Sequence, residues 1–259
     1  MFQVSNKSII EKFKKYDIET KVKYLHNGDL TVRYLILNDD KHLPTLFFIH
    51  GAPGYILDLK SYFKIANIRN HARIIAVERP GYGYSNYGHP LTSIQEQANI
   101  IGQILKKEHQ QPAGLIAHSY GGPIAAKIAV DHPRLVQKLF LLAPALDPEN
   151  EKIFKIAYLA KISLFKKIIP VPLLVAAEEK FYHVEELEKL KTAWERLEVP
   201  VDYFHGTNDW IVPYKNLHFA QKHFKNADAN FITLPGANHF INYFPRKEIV
   251  SKIAEFSDI

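Results

Sequence analysis

Short apolar runs rich in Ile, Val, Leu and Phe alternate along the chain with longer stretches in which apolar residues recur at helical spacing. The runs predict eight strands, at residues 21–26, 30–37, 45–49, 72–77, 114–117, 139–142, 201–204 and 230–234. The Asn27-Gly28-Asp29 segment after the first run favours a tight turn, and therefore an antiparallel hairpin. Alternation of the remaining strands with helices is typical of a mostly parallel sheet covered by helices. We therefore expect an α/β fold with an eight-stranded sheet.

The alternation of strand and helix is interrupted between residues 142 and 201. Residues 150–167 have the spacing of an amphipathic helix, which Pro170 and Pro172 are expected to end, and residues 184–197 predict a second helix. A long excursion within a compact domain is usually functional. The sequence thus predicts a single domain over residues 1–259, with a small helical lid inserted at about residues 150–197.

Composition narrows the class of protein. The chain has 259 residues, of which 47% are hydrophobic, and no cysteine, which excludes disulfides, thiolate metal sites and a cysteine nucleophile. The N-terminal stretch lacks the apolar run of a signal peptide, and no segment approaches the roughly 20 apolar residues that span a bilayer. A cytoplasmic protein without a membrane span is expected. The charge of +6 comes from dispersed lysines, which favours a solvated basic surface over a nucleic-acid partner.

A candidate nucleophile follows the predicted strand at 114–117. Residues 117–121 read Ala-His-Ser-Tyr-Gly, an apolar strand that runs through a small-x-Ser-x-Gly turn into a helix at 124–130. Such a sharp turn lifts the Ser119 hydroxyl clear of the sheet. Ala117 stands where glycine is more frequent, and Pro123 lies in the first turn of the helix, where a missing N–H costs little.

A second loop offers hydrogen-bond donors to the same space. The strand at 45–49 ends in His50-Gly51-Ala52-Pro53-Gly54, whose glycines allow a main-chain N–H to face the nucleophile. The N–H groups of Ala52 and Tyr120 are therefore the predicted oxyanion hole, which would stabilise the negative charge that develops on a carbonyl oxygen.

An acid and a base follow the last two predicted strands, in the order Ser, Asp, His. Asp209 lies in the loop after the strand at 201–204, and His239 lies in the loop after the strand at 230–234. The imidazole can take a proton from Ser119 and return it to a leaving group, while Asp209 holds the required tautomer. His118, next to the serine, is expected to pack beside the turn rather than to act as the base.

Asp147 is a competing candidate for the acid, because it follows the strand at 139–142 and could also reach the histidine. We favour Asp209, since an Asp before a proline is also well suited to cap the next helix. His218 and His223 are five residues apart, which places them on different helical faces, so we expect solvent-exposed histidines rather than a metal site. No metal and no cofactor are predicted.

Taken together, residues 50–54, 78–85, 117–121, 206–213 and 236–239 resemble the α/β-hydrolase superfamily over nearly the whole chain. By this resemblance residues 79–85 form a tight turn after the fourth strand, Glu78 is structural, and the insertion covers the active site. The members of the superfamily that use an Asp nucleophile, the haloalkane dehalogenases and epoxide hydrolases, are excluded because Ser119 stands at the nucleophile position. The proline iminopeptidases stay a minor alternative, because Ala52 departs from their His-Gly-Gly-Pro-Gly loop.

These observations predict a serine esterase or lipase-like enzyme that cleaves a carboxylic ester of a small to medium, partly apolar substrate. Six apolar residues of the insertion are expected to line or cover the pocket: Ile153, Ile156, Ala157, Leu164, Phe165 and Leu173. The same triad could also serve carbon–carbon bond hydrolysis, acyl transfer, perhydrolysis or aminopeptidase chemistry, since fold does not determine reaction. A ligand receptor or signalling protein with slow turnover is the alternative outside enzymes. The substrate is a small molecule, and the sequence leaves the oligomeric state open.

Overall fold

The computed structural model describes residues 3–108 and 110–257. Residues 1, 2, 109, 258 and 259, which the predicted domain of 1–259 includes, lie outside the described residues. Within the described ranges eight strands form one sheet in the order β1-β2-β4-β3-β5-β6-β7-β8. The strands are β1 (Thr20–Asn27), β2 (Leu30–Leu37), β3 (Thr45–Ile49), β4 (Arg73–Val77), β5 (Ala113–His118), β6 (Val136–Leu142), β7 (Val201–Gly206) and β8 (Ala229–Leu234).

Strand pairing confirms the predicted α/β class. β1 and β2 are antiparallel, with Asn27 paired to Leu30 across a two-residue turn in which Gly28 has a φ of +57°. β2 also runs antiparallel to β4, and the remaining neighbours are parallel. All eight predicted strands are present, and the largest boundary error is at β6, which begins at Val136 rather than at residue 139.

Helices cover both faces of the sheet. They are α1 (Asn6–Lys14), α2 (Lys60–Phe63), α3 (Ala66–His71), α4 (Ile94–Glu108), α5 (Gly121–Asp131), α6 (Ser163–Lys166), α7 (Val171–Leu190), α8 (Lys215–His223) and α9 (Lys247–Phe256). Since side chains alternate along a strand, Leu115 of β5 packs in the core with α4 and α5, while Ile116 packs in the core with α1 and α9. Among the described helices, none is long and apolar enough to cross a membrane.

The insertion differs from its prediction. Instead of one helix over 150–167, the chain forms a 3₁₀ segment at Lys155–Lys161 and the short α6. The two prolines begin a helix rather than end one: Pro170 caps α7, and Pro172 lies in its first turn, where no acceptor is available for an N–H. The helix expected at 184–197 is therefore the last seven residues of α7, which ends at Leu190.

Glu78, at the end of β4, is structural as predicted. Its carboxylate is fully buried and makes a two-point ion pair with Arg33 of β2, at 2.8 Å to Nε and 2.9 Å to Nη2. The Tyr84 N–H also donates to this carboxylate at 2.7 Å. The pair thus fastens the turn at residues 79–85 to the antiparallel side of the sheet.

A second buried ion pair attaches α7 to the body of the domain. Glu179 and Arg79 are both fully buried, with Glu179 Oε1 2.7 Å from Arg79 Nη1. Tyr82 Oη donates to the other carboxylate oxygen at 2.6 Å, and Gln97 contacts both partners. Burial opposes the charge on Arg79, but the adjacent Glu179 carboxylate outweighs it and leaves the pKa of Arg79 raised.

The Glu179→Gln substitution keeps the size of this side chain but removes its charge. Arg79 then remains buried without a carboxylate, so we expect the free energy of unfolding to fall by about 3–5 kcal/mol. Urea denaturation followed by circular dichroism measures this loss. Glu188→Gln, at an exposed position on the same helix, is the matched control and should change stability by less than about 0.5 kcal/mol. If the two variants unfold at the same urea concentration, the Arg79–Glu179 pair does not stabilise the fold.

Candidate active site

Ser119 lies in the sharp connection between the end of β5 and the start of α5. Its φ is +53°, a left-handed backbone that is strained for a residue with a side chain. Three hydrogen bonds hold this backbone: the Ser119 N–H donates to Leu142 O at 3.0 Å, and Ser119 O accepts from Gly122 N at 2.9 Å and from Ala145 N at 3.2 Å. Ser119 is 6% exposed, and it lies in the wall of a cavity.

Two glycines allow the Ser119 turn to approach the loop after β3. A Cβ added at Gly121 would lie 2.7 Å from Ile49 O, and one added at Gly51 would lie 3.0 Å from Ser119 Cβ. Both distances are shorter than ordinary van der Waals contact, so neither position tolerates a side chain unless its neighbours move. The serine and the loop at 50–54 are therefore in direct contact.

Arg79 holds the loop at 50–54 from behind. Its Nε and Nη2 donate to His50 O and Gly51 O, each at 3.0 Å, and its backbone N–H donates to His50 Nε2 at 3.0 Å. Burial, followed by the charge of Arg79, lowers the pKa of His50 well below its usual value, so this ring is neutral. The hydrogen bonds of the described residues use neither the Ala52 N–H nor the Tyr120 N–H.

Asp209 and His239 come from neighbouring strands and meet at hydrogen-bond distance. Asp209 follows β7, His239 follows β8, and Asp209 Oδ2 lies 2.7 Å from His239 Nδ1. The other oxygen, Oδ1, accepts from the N–H groups of Ile211 and Val212 at 3.0 and 2.8 Å. The carboxylate is thus oriented by its own loop, and the Nε2 edge of His239 is left for another partner.

His118 has a contact that the sequence did not indicate. Its Nε2 donates to the carbonyl oxygen of His239 at 2.9 Å, and the two rings are 4.7 Å apart between centroids. Burial, and then the charge on His239, lower the pKa of His118 well below its usual value, so it stays neutral. His118 therefore fixes the backbone of His239 across 121 residues of chain, a contact without a local sequence signal.

Asp147, the competing acid, has other partners. It is buried after β6, where Oδ1 accepts from Glu149 N at 3.0 Å and Oδ2 accepts from Asn150 Nδ2 at 2.6 Å. These bonds cap a short 3₁₀ helix at Pro148–Asn150. The hydrogen bonds of the described residues join His239 to Asp209 and do not join it to Asp147.

A cavity of about 820 Å³ contains Ser119, His239 and Ala52 in its wall. Most of the remaining wall is apolar and comes from the insertion, including Phe154, Ile156, Leu159, Phe165, Ile168 and Leu173. Four residues predicted for the pocket line it, namely Ile156, Ala157, Phe165 and Leu173. Ile153 and Leu164 do not, because the helix that would have turned them inward is replaced by the 3₁₀ segment and α6.

Two charged residues of the cavity wall were not predicted from the sequence. Lys180 of α7 contacts the Glu151 carboxylate, and burial lowers the pKa of this lysine to about 8. Burial raises the pKa of Asp58 to about 7, although Tyr243 Oη donates to it at 3.0 Å. Neither stands in a motif, and only the packing of α7 and of the loop before α2 brings them to the cavity.

The two histidines of α8 have different environments. His218 is exposed as expected, whereas His223 is buried with its ring 4.3 Å from that of Phe219. The expectation that both are solvent-exposed is wrong for His223, because the last turn of α8 packs toward the core that contains Phe224.

Sequence comparison places the central part of the chain in a known family. Residues 44–159, which run from β3 through β6 into the insertion, match the family model of the alpha/beta hydrolase fold. The chain is 30% identical over 101 residues to the dihydrolipoyllysine-residue acetyltransferase component of the acetoin cleaving system of Cupriavidus necator, covering 39% of this chain and 26% of that protein. It is 27% identical over 113 residues to the sn-1-specific diacylglycerol lipase ABHD11 of Mus musculus, covering 44% of this chain and 36% of that protein. The chain thus spans about a third or less of these relatives' length.

Structure comparison extends the likeness to the whole chain. The crystal structure of a candidate lipase, lip1, from Acinetobacter baumannii AYE superimposes with a TM-score of 0.74 at 18% identity, covering 99% of this chain and 96% of that one. The likeness at this identity concerns the fold, and it includes the strands on either side of the matched segment. The family match at residues 44–159 and the eight-stranded, mostly parallel sheet together support the α/β-hydrolase superfamily that the sequence motifs resemble.

Proposed function

We propose that the protein is a serine hydrolase that cleaves the carboxylic ester of a partly apolar substrate, with Ser119 as nucleophile, His239 as base and Asp209 as the orienting acid. The observation that carries the proposal is the 2.7 Å contact between His239 Nδ1 and Asp209 Oδ2, in the wall of the cavity into which Ser119 opens. An acid, a base and a strained serine at three strand ends are the parts that acyl transfer needs.

The contact with Asp209 assigns the proton on His239. Because an ionised carboxylate only accepts, Nδ1 carries the hydrogen and Nε2 is free to take the proton of Ser119. The Ile211 and Val212 N–H groups hold the carboxylate in place. His118 donates to the backbone carbonyl of His239, so the main chain that carries the imidazole and its Nδ1 edge are both positioned before a substrate arrives.

The reaction would follow in two balanced steps. Ser119 Oγ bonds to the ester carbonyl carbon while its proton passes to His239 Nε2, and collapse of the tetrahedral intermediate expels the alcohol, which receives that proton. Water then attacks the acyl-enzyme, again giving its proton to His239, and the acid leaves as Ser119 recovers its hydrogen. In both steps the Ala52 and Tyr120 N–H groups would receive the oxyanion, which is consistent with their lack of other acceptors.

The cavity favours an acyl chain over a polar substrate. Its wall is largely aliphatic and aromatic, and its volume of about 820 Å³ suits a ligand with a substantial apolar part. The insertion supplies much of this wall and acts in our proposal as the cap of the site. A lipase, the sn-1-specific diacylglycerol lipase ABHD11 of mouse, is among the relatives that the chain resembles, which supports an ester substrate.

Ser119→Ala is expected to lower kcat/KM on a soluble short-chain aryl ester by about a thousandfold or more, because the nucleophile is lost. A fluorophosphonate should label the unchanged protein at Ser119, as located by mass spectrometry of its peptides. Ser163→Ala, at an exposed position of the insertion, is the control and should keep both activity and labelling. Labelling at another residue, or full activity of Ser119→Ala, would sink the assignment.

Substitution of the two candidate acids distinguishes their roles. Asp209→Asn leaves His239 with the wrong tautomer, so we expect kcat to fall by about 10⁴-fold. Asp147→Asn alters only a helix cap, and it should cost at most about 1 kcal/mol of stability with kcat nearly unchanged. Steady-state kinetics and thermal unfolding of both variants provide the measurements. Similar losses of kcat in the two would refute the choice of Asp209.

A further inference from the structure

Large apolar side chains are exposed at one place on the molecule far more than elsewhere. Of the sixteen that are exposed among the described residues, seven lie within residues 154–173: Phe154, Ile156, Tyr158, Ile162, Leu164, Ile168 and Leu173. Ile156, Leu164 and Ile168 are each more than 70% exposed. Single exposed apolar residues need no explanation, but a cluster of this kind marks an interaction site.

The cluster continues across the mouth of the cavity. Trp210, Phe240, Tyr243 and Phe244 are also exposed, in the loops that carry Asp209 and His239. The Trp210 ring packs edge-on against Phe154, with centroids 5.7 Å apart. Phe240 and Tyr243 contribute to the cavity wall, as does Phe154. The exposed apolar surface is therefore continuous with the cavity wall.

The segment at residues 152–173, which includes these apolar side chains, carries only positive charge. It contains five exposed lysines, namely Lys152, Lys155, Lys161, Lys166 and Lys167, and no Asp or Glu occurs from residue 152 to residue 177. Lys152 Nζ donates to Trp210 O at 3.0 Å, and Lys161 lies over the Phe181 ring at 3.9 Å from its centroid. In this segment the lysines are not interspersed with acids, unlike the dispersed pattern that the composition of the whole chain suggests.

We propose that this surface, defined as the exposed apolar and lysine side chains of residues 152–173 and called the insertion surface, binds to bilayers that contain anionic phospholipid. Apolar side chains among lysines can enter the boundary between headgroups and acyl chains while the ammonium groups contact phosphates. The charge argues against a second copy of the chain as the occupant, since a two-fold contact would bring ten lysines together without an acid.

Membrane binding goes beyond the proposed hydrolysis and does not require it. An acyl substrate dissolved in a bilayer would reach the cavity without crossing water, because the insertion surface and the cavity opening share Phe154, Ile156, Ile168 and Leu173. Binding itself depends only on exposed side chains, so Ser119→Ala should bind as well as the unchanged protein. The two proposals can therefore fail separately.

Co-sedimentation of the full chain with lipid vesicles tests the inference, and the Ser119→Ala form avoids hydrolysis during the experiment. We expect binding to vesicles that contain phosphatidylglycerol, and at least tenfold weaker binding to vesicles of phosphatidylcholine alone. Binding should also weaken as salt is raised toward 1 M, where the Debye length falls to about 3 Å. Absence of binding to both vesicle types, or equal binding that salt does not change, would overturn the proposal.

Surface variants locate the binding site. Lys166→Gln with Lys167→Gln should weaken binding by roughly tenfold to thirtyfold, since each lysine near an anionic surface contributes about fivefold. Leu164→Ser should weaken it by about tenfold through loss of an inserted side chain. None of these three residues lines the cavity, so hydrolysis of a soluble aryl ester should stay unchanged and should report intact folding.

Two matched controls lie away from the insertion. Lys106→Gln with Lys107→Gln removes an exposed lysine pair of α4, and Ile10→Ser removes an exposed apolar side chain of α1. Both should bind vesicles as the unchanged protein does. If the controls weaken binding as much as the insertion variants, the lipid contact lies elsewhere. If the insertion variants change the sedimentation coefficient of the free protein but not vesicle binding, a second copy occupies the surface and the proposal is wrong.

Discussion

The left-handed backbone at Ser119 is the constraint around which the central part of the molecule is arranged. A φ of +53° between β5 and α5 is strained for serine, and it persists because neighbouring elements leave the chain no alternative. The bond from Ser119 N to Leu142 O ties the turn to β6. Gly121 and Gly51 let β3 and its loop approach so closely that a methyl group at either would collide with the backbone or with the serine. The catalytic arrangement that we propose starts from this crowding.

A buried ion pair between Arg79 and Glu179 helps to hold the loop that packs against the strained backbone of Ser119. Arg79 donates to the two carbonyls of the loop beside the serine, and Glu179 neutralises it from α7. A guanidinium in this position can satisfy several acceptors at once, whereas its cation would be costly to bury without a carboxylate. Arg79 therefore connects the two parts, because it pairs with Glu179 of the insertion and donates to the carbonyls of the loop at 50–54. These contacts fix the position of the cavity wall relative to the proposed oxyanion donors.

One short segment of the insertion contributes both to the cavity wall and to the exposed insertion surface. Residues 154–173 turn some apolar side chains into the cavity and leave others in water, because a 3₁₀ segment and a helix of four residues cannot bury both faces. Lysines keep the outer face hydrated. In our proposal, this amphiphilic surface next to an apolar cavity is the route by which an acyl substrate in a lipid phase would reach Ser119.

Local sequence was sufficient for the sheet and for the turns that follow its strands. Apolar runs, the Asn-Gly-Asp hairpin and the small residues around Ser119 act within a few residues, so all eight strands and the placement of Ser119, Asp209 and His239 at strand ends were predictable. The insertion was not, since Pro170 and Pro172 are compatible with the end of one helix and with the start of another. What decided it was the docking of Glu179 onto Arg79, 100 residues away in the chain. The contact of His118 with His239 likewise joins positions 121 residues apart, and only tertiary packing, which the nearby sequence does not encode, determines such pairs.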